Sequence, residues 1–89
     1  MRCEKIKGGK LVCIEVALEA DKVRSVSITG DFFLHPEDRI ASLEESLVGT
    51  PASISQSEAE GRIKSALGDA QLIGASCEDL ARLFKEAVR

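Results

Sequence analysis

The chain has no Trp and no Tyr, and its three aromatic residues are all Phe. With a net charge of −3 and no basic cluster, it offers neither stacking platforms nor an electrostatic footprint for nucleic acid, which is therefore not an expected partner. No apolar run approaches the ~20 residues of a membrane span, so no membrane partner is expected either. The opening residues Met1-Arg2-Cys3-Glu4-Lys5 lack the apolar core of a secretory signal, and a cytoplasmic location is the expectation. Cysteine is scarce: Cys3, Cys13 and Cys77 are odd in number and contain no Cys-x-x-Cys pair. Neither a zinc site nor a disulfide framework is signalled, and each cysteine is expected to be a small reduced hydrophobe. Large core residues are scarce as well, because Ala supplies much of the hydrophobic 44%. An 89-residue chain with such a core has room for one small domain of thin stability. An ATP-binding fold with a substrate pocket does not fit in that length, so if the protein serves an enzyme it does so as a part.

What is present changes character at Pro36. The stretch 1–34 is strand-rich and 36–89 helical, and charge divides with them: +1 over residues 1–35 and −4 over residues 36–89. Gly8-Gly9 separates two β-rich runs, Cys3–Lys7 and Lys10–Leu18, and suits a two-residue hairpin loop needing positive φ. A third run spans Val23–Thr29. A three-residue loop before it sets Val16 opposite Val26 and Ile14 opposite Ile28, gathering Val12, Ile14, Val16, Leu18, Val26 and Ile28 on one face. A two-residue loop sets the valine and isoleucine against serines, so the longer loop is favoured. Pro36 suits the first turn of a helix carrying Ile40, Leu43 and Leu47, with Gly49 placed to end it. A second helix starts at Ser55 or Ser57, both at capping-box spacing, and carries Ala59, Ile63, Ala66 and Leu67. A third starts at Ser76 with Asp79 three residues on, followed by the stripe Leu80, Leu83, Phe84, Ala87, Val88. Strands first and helices after predict an α+β fold: a three-stranded antiparallel meander with about three helices on one face.

Catalytic chemistry is hard to find. His35 has no Ser, Cys or orienting Asp at a useful offset and reads as a helix-entry residue before Pro36. Gly8-Gly9-Lys10 lacks the upstream Gly and following Ser or Thr of a phosphate loop, and it precedes a strand. Lys10 is either a solvated strand-end lysine or a residue that reaches a phosphate held by a neighbouring subunit. The pairs Glu44/Glu45 and Glu78/Asp79 read as solvated charge. The least ordinary stretch is Thr29-Gly30-Asp31-Phe32-Phe33-Leu34-His35-Pro36. Consecutive phenylalanines cannot both point into the core from a strand, so one is expected to be buried while the other lies at an edge or under a partner. Either the two rings seal the bottom of the core around a Gly30-Asp31 turn, or the stretch is a docking element.

The Lys7-Gly8-Gly9-Lys10-Leu11-Val12 run, the meander after it, the Ser27-Ile28-Thr29-Gly30-Asp31-Phe32-Phe33 junction and the acidic helix beyond together resemble the accessory domain of lipoate–protein ligases. The resemblance covers nearly all of 1–89, most strongly over residues 2–50, as a single accessory domain. A chain opening at Met1 with no catalytic domain before it is expected to be the separate small-subunit form. The resemblance implies a heterodimer whose large, catalytic subunit binds ATP, Mg2+ and lipoate and makes lipoyl-AMP. That subunit then passes the lipoyl group to a lysine on the lipoyl domains of 2-oxoacid dehydrogenases or on the glycine cleavage H protein. The small chain, required mainly for the activation step, then has no catalytic residue and binds no cofactor alone. It implies an interface among Gly8, Gly9, Lys10, Gly30, Asp31, Phe32, Phe33 and His35, with Lys10 as the candidate phosphate contact. At fold level the accessory domain is also similar to iron–sulfur cluster scaffolds and sulfur acceptors. Those need reactive exposed cysteines, and here only Cys77, at a helix N-terminus, is placed for a lowered pKa. A stand-alone regulatory module is the third reading.

Overall fold

Strand β2, Leu11–Glu19, lies between β1, Arg2–Lys5, and β3, Lys22–Gly30, in an antiparallel sheet of order β1-β2-β3. The computed structural model describes residues 1–6, 8 and 10–88. Val16 faces Val26 and Ile14 faces Ile28, as the hydrophobic pattern requires. The route to that register differs from the expected one. The loop has two residues, Ala20 and Asp21, with φ of 52° and 64°. Positive φ at both central residues gives the turn a twist that matches the flanking strands. A bulge then corrects the pairing. Ala17 faces Ser25 while Leu18 faces Val23, so Arg24 has no partner on β2. Val23 and Val26 therefore share the buried face across a spacing of three. Leu18, expected on that face, lies beyond the bulge and is 43% exposed.

The first hairpin also departs from expectation. Lys5 faces Leu11, and the Ile6 N–H donates to the Lys10 carbonyl at 2.8 Å, so three residues rather than two connect the strands. Gly8 has φ of 91°; Lys7 and Gly9 lie outside the described residues. This register sets Cys3 directly against Cys13, with Cα atoms 4.0 Å apart, and the two form a disulfide on the sheet face away from the helices. The expectation of three reduced cysteines is thus corrected; Cys77 alone is free. A two-residue loop would have put Cys3 opposite Ile14 and removed the pairing.

Helix α1, Arg39–Leu47, begins three residues after Pro36 rather than at it. The Arg39 and Ile40 amides donate to the Pro36 and Glu37 carbonyls, a tighter lead-in turn that absorbs the intervening residues. Helix α2, Gln56–Leu67, is capped by Ser55, whose hydroxyl accepts from the Glu58 amide at 3.1 Å, which resolves the two possible starts. Helix α3, Cys77–Ala87, has the full reciprocal capping box of Ser76 and Asp79. Asp79 is accordingly not plain solvated charge, and neither is Glu44, which reaches the edge of β3.

Helix α1 packs on β3, α3 packs across β2 and β1, and α2 lies against both helices. All three helices stand on the same side of the sheet. The core beneath them holds Val12, Ile14, Val23 and Ile28 from the sheet, and Leu43, Leu47, Ile63, Leu80, Leu83 and Phe84 from the helices. Both sheet edges are occupied. On β3, Glu44 accepts from the Ile28 amide at 2.8 Å, and residues 49–52 bond to the backbone of Val23 and Asp21. On β1, the inward positions Arg2 and Glu4 pair with Glu86 and Arg82 of α3, each at 2.9 Å. Such arrangements prevent edge-to-edge pairing with other sheets.

The disulfide closes a short loop around the first hairpin. Replacing Cys3 by Ser is expected to lower stability by about 2–3 kcal/mol, from lost constraint on the unfolded chain. Denaturant unfolding measures this. The wild type in a strong dithiol should fall to the level of Cys3→Ser, and a difference surviving full reduction would assign the loss to packing.

Candidate functional site

At the far end of β3 the chain leaves the main sheet through a junction that cannot tolerate a side chain. Gly30 has φ of 152°, and a Cβ there would collide with the Leu11 carbonyl oxygen. Close approach at this point lets the Asp31 amide donate to that carbonyl at 2.8 Å and swings the chain into β4, Phe33–His35. Strand β4 pairs antiparallel with β5, Gln71–Ile73, in a small second sheet that the sequence pattern did not signal. Three-residue strands carry too little alternation to be read alone, and Gln71–Ile73 lies in the stretch expected to be helical.

Alternation along the β4–β5 ladder sorts its side chains. Leu34 turns into the core, and its partner Leu72 packs against it in part. Phe33 and its partner Ile73 turn outward, 70% and 62% exposed. The Phe-Phe pair divides between core and solvent: Phe32 packs partly on the core while Phe33 stands in solvent, so the two rings do not both seal the core. A groove of about 350 Å³ opens beside them, lined by Phe32, Phe33, Leu34, Glu37 and Ile40. A larger shallow hollow of about 820 Å³ runs along α1 and α2 by Ser46, Gly61 and Arg62, and contains none of the candidate residues.

The other candidates fall around this junction. Gly74 follows β5, and a Cβ built on it would lie 3.4 Å from the Phe32 Cα and 3.6 Å from the Lys10 Cγ. The stem of Lys10 thus rests beside the β5–α3 connection, and its ammonium makes no ion pair with a described residue. The fold therefore brings Lys10, Gly30, Asp31, Phe32 and Phe33 to one end of the molecule. His35 lies at the other end of β4, exposed, opposite Gln71. Gly9 lies outside the described residues. Ile73, Ile40 and Glu37 belong to the same surface and escaped sequence reasoning; their membership depends on β5 and on where α1 begins.

Sulfur chemistry finds little support. Burial pushes the Cys77 thiol above its ordinary value, with Lys64 partly opposing the shift and Glu60 adding to it. The one cysteine placed for a lowered pKa therefore does not have it, because desolvation of the thiolate is the largest effect on this thiol. Among the described residues no group of three or more His, Cys, Asp or Glu is placed to hold a metal ion. No described helix is long and apolar enough to cross a membrane.

These features define the class first: a small α+β domain whose exposed chemistry is an apolar pair, a mostly apolar groove walled in part by Glu37, and a lysine at one end. Comparison with known proteins then narrows it. No family model matches the chain. A 46-residue stretch, 52% of this chain, is 39% identical to lipoate-protein ligase A subunit 2 of Thermoplasma acidophilum. That match spans 48%, about half, of the relative's own length. The chain also superposes with a TM-score of 0.67 on a chain from the structure of an archaeal lipoylation system from the same organism. That system is described as a bi-partite lipoate protein ligase and its E2 lipoyl domain; identity is 27%, with 90% of this chain and 83% of that one covered. The resemblance to the accessory subunit of lipoate–protein ligase, and the α+β fold it implied, are borne out.

Two outcomes check the geometry. Gly30→Ala is expected to lower stability by about 2–3 kcal/mol, because the new Cβ meets backbone at a φ that L-residues avoid. A melting temperature within one degree of wild type would contradict the close approach. Alkylation of Cys77 by iodoacetamide should rise with pH and half-saturate above the ordinary thiol range, since the thiolate is the reacting form. Half-saturation near neutrality would show an activated thiol instead.

Proposed function

We propose that this chain is the accessory subunit of a two-component lipoate–protein ligase. It acts in the cytoplasm as a heterodimer with a catalytic subunit that binds ATP, Mg2+ and lipoate. The complex activates lipoate to lipoyl-AMP and transfers the lipoyl group to a lysine of a lipoyl domain, in a 2-oxoacid dehydrogenase or a glycine cleavage H protein. The observation that carries this reading is the superposition over 90% of the chain on a component of a bi-partite ligase system. The 39% identical stretch shared with a ligase subunit supports it independently.

The role assigned to the small chain is ordering and closure. An acyl-adenylate is destroyed by water, so a site that forms one gains from being covered while the reaction proceeds. A rigid sheet-and-helix body with one exposed apolar end can hold mobile loops of a larger subunit in place without supplying a reacting group. Lys10 is the residue suited to a direct charged contact. It stands at the same end as Phe33, and its ammonium is not engaged by a described carboxylate. A lysine reaching a phosphate from a neighbouring chain stabilises the charge that builds during adenylation.

Reconstitution tests this. The chain alone should show no lipoate-dependent ATP–pyrophosphate exchange, and mixing with the catalytic subunit should raise exchange well above that of the catalytic subunit by itself. No gain on mixing would overturn the proposal. Lys10→Ala should lower the exchange rate about 10- to 100-fold with complex formation unchanged, as for loss of one charged transition-state contact.

A further inference from the structure

Phe33 and Ile73 lie side by side across the β4–β5 ladder, and each exposes more than half of its surface. A contiguous apolar patch of this kind on a small domain marks a surface that another molecule covers. The groove next to the patch is apolar along Phe32, Phe33, Leu34 and Ile40, and Glu37 completes its lining. In the chain Asp31 directly precedes the groove residues and Asp38 lies among them, and no carboxylate of these three makes an ion pair with a described residue. Lys10 stands at the same end without an ion pair to a described residue, and Arg39, the cation next to Glu37 and Asp38 in the chain, is committed elsewhere: its guanidinium donates to the Leu67 carbonyl at 3.0 Å and lies 3.5 Å from Asp69. The groove thus offers an apolar floor with unneutralised acid at its edge.

We propose that the groove receives an apolar side chain of the catalytic subunit, carried next to one or more Lys or Arg residues that meet Glu37, Asp31 and Asp38. This inference rests on the ligase-subunit reading and adds to it the composite surface and the chemistry of the occupant. Charge decides between that occupant and a second copy of this chain. Two-fold contact between identical patches sets each acidic edge against its own copy, and residues 36–89 carry a net −4. A basic partner gains from the same charges that penalise self-association. The apolar pair supplies affinity, and the acidic edge supplies selection and salt sensitivity.

Titration calorimetry of the full chain against the catalytic subunit, at several ionic strengths, tests the proposal. Phe33→Ala and Ile73→Ala should each weaken binding ~10-fold or more while leaving the melting temperature near wild type, since both side chains are mostly exposed. Glu37→Gln with Asp38→Asn should weaken binding and flatten its salt dependence, and Glu37→Lys with Asp38→Lys should weaken it further. Glu19→Lys, on β2 next to the Ala20–Asp21 turn, should change affinity less than twofold. Three results overturn the inference: groove variants that bind as wild type does, a salt dependence untouched by the charge changes, or an effect of Phe33→Ala on self-association or on lipoyl-domain binding in place of subunit binding. Failure of the wild-type chain to bind the catalytic subunit at all would instead refute the ligase reading, so the two failures are distinguishable.

Discussion

The pairing of β2 with β3 is the constraint from which the rest of the structure follows. Val12 and Ile14 are fully buried, and they reach the helices only because Val26 and Ile28 share their face. A slip of one residue would turn the whole apolar set outward. The register also sets what happens at both ends of the pair. At one end the mismatch left by a two-residue turn is taken up by the bulge at Arg24. At the other, Gly30 falls opposite Val12, where the chain must pass within contact of Leu11 to leave the sheet. The exposed ladder of Phe33 and Ile73 begins from that exit.

Burial on this scaffold is economical. The sheet has one apolar face, the helices cover it, and both edges are occupied by side chains or by residues 49–52. No buried side-chain polar atom among the described residues lacks a partner. Against that order, two large apolar side chains left in solvent at one end stand out. They do not compensate for any defect in the core, because Leu34 and Leu72 on the same ladder fill their places. A thin core and an exposed apolar end fit a protein whose stability is completed by association.

Much of the fold was legible from periodicity. The three-stranded meander, the cap residue of α3, the choice of Ser55 or Ser57 for the cap of α2 and the apolar stripe of α3 all followed from spacings of two and of three to four residues. Gly30, Asp31 and Phe33 stood out as a junction for the same reason, since Gly-Asp followed by two phenylalanines fits neither strand nor helix. Other features were not legible. Cys3 and Cys13 meet only in a register set by a three-residue connection, and Gly8-Gly9 suggested two. Glu44 looked like surface charge because sequence does not show that an edge-strand amide lies beside it. Cys77 stood out as the one cysteine placed for a lowered pKa because a helix N-terminus is visible in sequence and the burial that raises it is not.

What the sequence determined by itself is the buried face: which side chains must point inward along each strand and helix, hence the class of fold. Periodicity is local, and it survives without knowledge of what packs on what. Only the tertiary structure decided how the turns meet that demand, that two cysteines oppose each other, and that β5 places Ile73 beside Phe33. Those outcomes depend on contacts between residues far apart in the chain, where a single residue of register changes every partner. The surface proposed to meet the catalytic subunit is one of them.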